Sequence, residues 1–271
     1  MKLSASAVPT VLERIGGYVR RYAEQQREVE RTGPFLATFG RHSNGPYLNY
    51  AVPDDGAVPT RTDIERLVSL YEERDLRPRV ELVRSLSPSA DFELRQSGFE
   101  LDGSFPLMAC TSESMRQVVH PGSVRIVLGY TKNDIRGILE VRRQVFEEPD
   151  RVTQAEVTRT RYGIDSGAIA AMAVDSSTGE GLGSGESLVP YDGVTELTSI
   201  GVLESHRRRG IGASLTAALT RAALAAGADI VYLTAANEEG ARIYDQVGYL
   251  LVGEFRHLGY YKQTLASDEP T

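Results

Sequence analysis

With 271 residues, the chain is long for one compact domain and short for three, so two packed units are expected. Apolar residues make up 41% and charged residues 25%, with no apolar run of about 18 residues, which argues against a membrane span and against chain-wide disorder. The 30 Lys and Arg against 37 Asp and Glu give a formal charge of −7, which counts against non-specific nucleic-acid binding. The single cysteine, Cys110, can form neither an internal disulfide nor a cysteine metal cluster, and Met1-Lys2-Leu3-Ser4 opens no apolar signal stretch. The expectation is a cytoplasmic protein with no structural metal, no membrane partner and no nucleic-acid partner.

In chain order, Val11, Ile15, Val19 and Tyr22 form an apolar stripe that predicts a charged helix over 11–31, ended by Gly33-Pro34. Apolar segments at 35–39 and 47–51 flank Ser43-Asn44-Gly45 and suggest a hairpin. A helix over 63–71, a strand over 80–83, a helix over 88–96 and a strand from Phe99 follow. The chain turns polar after Cys110 and closes on His120-Pro121-Gly122, which places a domain boundary near 115/116. The second unit is expected to hold strands at 124–128, 168–174, 183–189, 194–202 and 230–233, and helices at 133–144, 153–158, 210–226 and 238–247. Two terminal strands are expected at 249–253 and 255–261, and a disordered tail at 267–271.

Shifting the chain by 150 residues places Gly98-Phe99 and Gly103 on Gly248-Tyr249 and Gly253, and Val80 on Ile230. The helices 63–71 and 213–221 coincide as well. The two halves are therefore expected to share one strand-helix-strand plan.

The most informative stretch joins an apolar strand to a helix through Arg207-Arg208-Arg209-Gly210-Ile211-Gly212-Ala213. Two glycines without a Cβ, the unpaired amides of a helix start and the positive end of its dipole make an anion site suited to pyrophosphate. The stretch lacks the Gly-Lys-Ser/Thr of a nucleoside-triphosphate loop and the third glycine of a dinucleotide fingerprint. His42 and His120 have no partner at metal-site spacing, and Cys110, ending an apolar strand, reads as a buried thiol.

This stretch resembles the signature of the GNAT superfamily of acyl-CoA-dependent N-acyltransferases, Arg/Gln-x-x-Gly-x-Gly/Ala. Glu196-Leu-Thr-Ser-Ile200-Gly201-Val202 looks like that family's splayed strand, and Asn237 with Ala241-Arg242-Ile243-Tyr244-Asp245-Gln246-Val247-Gly248-Tyr249 looks like its acid-bearing helix. Two departures are Glu204, where proline is frequent, and Arg208, where glycine is common. The resemblance implies an α/β (α+β) fold with a mixed, mainly antiparallel sheet flanked by helices, and direct attack by an amine on acetyl-CoA. It implies that Arg207, Arg208, Arg209, Gly210, Ile211, Gly212 and Ala213 belong to the cofactor site, with the amides of Arg209, Gly210, Gly212 and Ala213 holding the pyrophosphate, and that Ile200, Gly201 and Val202 pair with the pantetheine arm, the Val202 amide polarising the thioester. Asn237 and Tyr244 complete the cofactor site, and Tyr244 stands in the place of the general acid. Glu196, read on one strand face with Thr198, Ile200 and Val202, resembles a glutamate used as general base through water, with Glu254 and His257 as further candidates.

The shift of 150 puts Leu94 at the place of Tyr244 and Ala57-Val58-Pro59-Thr60-Arg61-Thr62 at the place of the phosphate loop. The resemblance thus implies two GNAT-like domains: a degenerate one over 1–115, which walls the acceptor pocket or completes a homodimer, and a catalytic one over 116–266. The expected function is N-acetyl transfer to a small-molecule primary amine. A non-catalytic CoA-binding sensor is the alternative. Aminoacyl-tRNA-dependent ligases also pair such domains, but the acidic charge and intact loop count against that reading.

Overall fold

The computed structural model describes residues 7–40, 45, 48–119 and 121–261. The expected tail at 267–271, His42, His120 and most of the 43–45 turn lie outside the described residues. By contacts the chain divides into two units, one formed by the residues up to Tyr18 with Pro106–Val252, the other by Val19–Phe105 with the chain from Gly253 onward. This differs from a single cut at 115/116, and the strand pairing gives the reason.

In the first unit, β6 (Val124–Leu128), β7 (Ile169–Asp175), β8 (Gly181–Ser187) and β9 (Val194–Val202) form an antiparallel meander. The chain then crosses through α6 (Ile211–Ala225) to β10 (Ile230–Thr234), which pairs parallel with β9. On its other side β10 takes Leu107–Cys110, the end of β5 (Phe99–Cys110), antiparallel.

The second unit repeats this plan. Here β1 (Glu28–Thr32), β2 (Phe35–Phe39) and β3 (Ala51–Pro53) form the meander, α2 (Arg61–Glu72) the crossover and β4 (Arg79–Val83) the parallel partner of β3. β4 pairs antiparallel with Phe255–Gly259, the end of β11 (Leu250–Tyr260). Helices α3 (Pro88–Gln96) and α7 (Glu238–Val247) follow β4 and β10. α2 and α6 begin at Arg61 and Ile211, and α3 and α7 at Pro88 and Glu238, each pair 150 apart. Each unit is thus closed by the end of the strand that follows the other unit's last helix. No single cut can separate units that exchange strands.

Several expectations differ locally: the strand read over 47–51 is β3 at Ala51–Pro53, and the helix read over 153–158 runs over Gln154–Asp165. The helix read over 11–31 is α1 (Val8–Gln26), and Glu28–Thr32 is a strand exposed along most of its length. Its charges fit a helix face as well as an edge strand, and the close turn from Thr32 to Phe35 settles it for the strand. The two terminal strands are one, β11, because Glu254 continues the strand between them.

α6 is buried nearly all round, including Ser214, Thr216 and Thr220. Their hydroxyls donate one turn back, to Gly210 O (3.0 Å), Gly212 O (2.8 Å) and Thr216 O (2.7 Å), so none is a lost hydrogen bond in the core. Leu215, Leu219 and Ala223 pack with Leu197, Val231, Leu233, Val247 and Tyr249. On β8, a Cβ at Gly185 would come 2.9 Å from Leu219 and 3.1 Å from Ile200, so glycine there lets helix and sheet close. Helices α4 (Lys132–Val145) and α5 (Gln154–Asp165) start on capping boxes, Thr131 with Asp134 and Thr153 with Glu156.

In the second unit Glu254 accepts from Ser104, Arg84 and Arg256, and these partners lower its pKa from 4.5 to about 2. Ionised Glu254 therefore stabilises the fold above its unfolded pKa, and the contribution is lost as the pH falls through the folded one. Glu254→Gln is expected to lower the melting temperature at pH 7, with the deficit closing between pH 4.5 and about 2 in a pH series of melts.

Candidate functional site

The register of β9 positions the site. It pairs with β10 only from Val194 to Glu196, so residues 197–202 run on without a β10 partner. On its other edge the pairing with β8 shifts between Glu186↔Thr198 and Ser184↔Gly201, so two residues of β9, Ser199 and Ile200, oppose Gly185 alone. Ser199 takes φ 53°, a left-handed conformation that costs a non-glycine residue roughly 1–3 kcal/mol.

The bulge turns the following side chains over. Ile200 packs with Leu197 and Leu219 on the α6 side, and Val202 packs with Ile211. Glu196 points to the opposite face, where it accepts from the Tyr232 hydroxyl at 3.0 Å and Tyr232 in turn packs edge-on against Tyr18. The expectation that Glu196 shares a face with Ile200 and Val202 is thus corrected: strict alternation does not pass through a bulge.

Beyond Val202 the chain makes a short 3-10 turn, Glu204–His206, and reaches α6 through Arg208 at φ 60° and Gly210 at φ 76°. The left-handed Arg208 accounts for its being a place where glycine is common. Arg207 donates to Val202 O (3.2 Å) and Arg209 to Ser205 O (3.2 Å), so both arginines staple the loop. Neither they nor Arg208 has an ion-pair partner among the described residues. Gly210 caps α6 without a side chain, and among the described residues the amides of Ile211, Gly212 and Ala213 have no acceptor. The three free donors and the positive end of the helix dipole meet at the α6 start, with Arg207, Arg208 and Arg209 in the loop before it.

A cavity of about 1190 Å³ opens there. Its walls include Ile200, Gly201 and Val202 from β9, the loop and helix start Arg207, Arg208, Arg209, Gly210, Ile211, Gly212 and Ala213, and Asn237 and Tyr244 from the far side. Glu196 is not in that wall. Val145 and Phe146 at the end of α4 line it too, and a Cβ at Gly201 would sit 2.2 Å from Val145, so glycine lets α4 reach the parted strand. Nothing in the sequence marked these two residues, because their apolar character fits an ordinary core helix. Ile243 is 37% exposed and lines the cavity.

Tyr244 is half-buried beside Tyr249 at a ring distance of 6.1 Å, and burial raises its pKa above 10. The phenol keeps its proton at neutral pH. Asn237 caps α7, its Oδ1 accepting from Gly240 N at 2.9 Å. Asn237→Ala is expected to cost about 1 kcal/mol of stability, read by denaturant unfolding. Glu254 and His257 belong to the second unit. There Glu254 is held by ion pairs and His257 lies against Phe105 and Phe255, with burial lowering its pKa to about 4. Cys110 is fully buried and its thiol pKa is raised by burial, as for an inert side chain.

The second unit's counterpart is closed. Thr60 caps α2, accepting from Asp63 N, while the Asp63 carboxylate accepts from Thr60 N at 2.9 Å. The helix start that is open and cationic at α6 carries its own anion at α2. Leu94, fully buried, stands where α7 has Tyr244.

The acetyltransferase (GNAT) family profile matches residues 136–249, the stretch that holds the bulge, the loop and Tyr244. A GCN5-related N-acetyltransferase from Kribbella flavida superposes with a TM-score of 0.78 at 22% identity, covering 94% of this chain and 98% of that one. A GCN5-related N-acetyltransferase from Sphaerobacter thermophilus gives 0.65 at 15% identity, covering 92% and 88%. A tandem GNAT protein from the clavulanic acid biosynthesis pathway gives 0.60 at 12% identity, covering 92% and 86%. A search of curated proteins returned no match. The fold is that of the GCN5-related N-acetyltransferases. Residues 136–249 carry the similarity to the GNAT acetyltransferase family profile.

Among the described residues no helix is long and apolar enough to cross a membrane, and no group of three His, Cys, Asp or Glu could hold a metal ion.

Proposed function

We propose that the protein is an N-acetyltransferase, moving the acetyl group of acetyl-CoA to a primary amine of a small molecule by direct attack. The observation that carries this reading is the uncapped, cation-flanked start of α6, which opens onto the same cavity as the parted edge of β9 and the Tyr244 phenol. The cradle fits the cosubstrate. The amides of Ile211, Gly212 and Ala213 would receive its pyrophosphate, and the edge of residues 200–202 offers backbone groups to an extended amide-bearing arm. The Val202 amide would polarise the thioester carbonyl.

In the transfer, the amine nitrogen bonds to the thioester carbon, the carbon–sulfur bond breaks, and Tyr244 gives its proton to the departing thiolate. Glu196 is the proposed acceptor of the amine proton through water. Its support is its place as the last residue of β9 paired with β10, half exposed on the face away from α6. The second unit, with its acid-capped α2 and Leu94, is proposed to be a silent copy of the same fold.

Thermal melts with acetyl-CoA and thiol release across a panel of amines test the reading. A rise in melting temperature with acetyl-CoA and amine-dependent thiol release are expected. No melting shift at any acetyl-CoA concentration would sink it, and a shift without thiol release would leave a binding protein in place of an enzyme.

A further inference from the structure

The face of β8 and β9 turned away from α6 carries a carboxyl group that neither the sequence motif nor the cavity wall includes. Glu186 lies directly across from Thr198, the last residue paired in register before the bulge. The Ser199 hydroxyl donates to it, Oγ to Oε1 at 3.3 Å, and this is the one side-chain hydrogen bond of Ser199 among the described residues. Serine has no intrinsic ease at φ 53°, so this conformation persists only where its surroundings hold it. The stake is large for the site, because Ile200, Gly201 and Val202 follow at once and form its β9 wall.

Resting on the acetyl-transfer reading, we propose that Glu186 is a positioning residue for the transfer centre. Its carboxyl oxygen clamps Ser199 in the bulge and so holds the backbone of residues 200–202 turned off β10 and onto the cavity. The clamp needs an acceptor at that point, and no acceptor on β10 can replace it, since β10 stops pairing at Glu196. Burial raises the Glu186 pKa, while the charge of Arg142 on α4 and the Ser199 hydrogen bond oppose that shift.

Because the clamp acts through acceptor geometry, Gln at position 186 should keep it, Ala should lose it, and Gly at 199 should make it unnecessary. Two readouts separate this from a general loss of stability: steady-state kinetics with an amine from the panel, and amide hydrogen exchange of a peptide spanning residues 197–203. Glu186→Ala is expected to lower kcat about tenfold or more, with KM for acetyl-CoA within about twofold, and to speed exchange in that peptide. Glu186→Gln should stay within about threefold of the parent in kcat, and Glu186→Ala combined with Ser199→Gly should recover to about the same level. A Glu186→Gln variant as impaired as Glu186→Ala, with exchange unchanged and no rescue by Ser199→Gly, would overturn the clamp and make Glu186 a direct proton acceptor. Parent-like kcat and exchange in Glu186→Ala would overturn any positioning role. If the parent protein transfers no acetyl group, the exchange series still decides the clamp, and the transfer reading alone fails.

Discussion

Tyr244→Phe is expected to lower kcat about 100-fold while leaving KM for acetyl-CoA and the melting temperature close to those of the parent, since a positioned general acid contributes roughly 10²–10⁴. The phenol lines the cavity and makes no hydrogen bond among the described residues, whereas the ring packs beside Tyr249. Phe keeps the packing and removes only the proton. A residue present merely to fill space would show the reverse, with kcat intact and any loss confined to stability. The pH profile gives a second check, because the raised pKa keeps the acid protonated through neutral pH. A limb of kcat that falls at alkaline pH should disappear in the Phe variant.

Gly212→Asp should separate folding from binding by moving them in opposite directions. A Cβ at Gly212 meets only Val202 at 3.8 Å and Ile243 at 4.0 Å, ordinary contacts, so the side chain can be accommodated. A carboxylate in the first turn of α6 is favourable for the helix by about 0.3–1 kcal/mol, so the free protein should melt at the same temperature or slightly higher. The same charge occupies the cradle proposed to receive pyrophosphate. Acetyl-CoA at about 100 times the parent Kd stabilises by about 2.7 kcal/mol, and that stabilisation should vanish in the variant. Retained acetyl-CoA stabilisation in Gly212→Asp would remove the α6 start as the phosphate site.

The sequence read most reliably where local chemistry and tertiary role agree. The bounds expected for β6, β9, α3 and α7 are those observed, and β6, α3 and α7 are each flanked by polar or glycine residues. The open start of α6 was legible because glycine at Gly210 and an uncapped helix start leave a local mark. Three features leave none. The strand β1 is written in charged residues and owes its conformation to β2. The exchange of strand ends depends on partners about 120 and 170 residues away, with Leu107–Cys110 on β10 and Phe255–Gly259 on β4. The bulge at Ser199 is a register shift between two strands, invisible in either one, and it decides which face Glu196 occupies.

The two starts of α2 and α6 show how one plan reaches unequal outcomes. Both follow a strand and open a crossover helix, 150 residues apart. At α2 the Thr60 hydroxyl takes the Asp63 amide and the Asp63 carboxylate folds back onto Thr60, placing an anion from the chain itself at the helix start, while Gly210 brings no side chain to that of α6. The difference rests on a few side chains at one helix end.

The most direct test of the central claim is an acetyl-CoA-dependent thiol-release assay of the full chain over a panel of small primary amines, read beside Tyr244→Phe. The account predicts release that requires both acetyl-CoA and an amine and falls about 100-fold in the variant. Release that is absent with every amine, or that is undiminished in Tyr244→Phe, would contradict it.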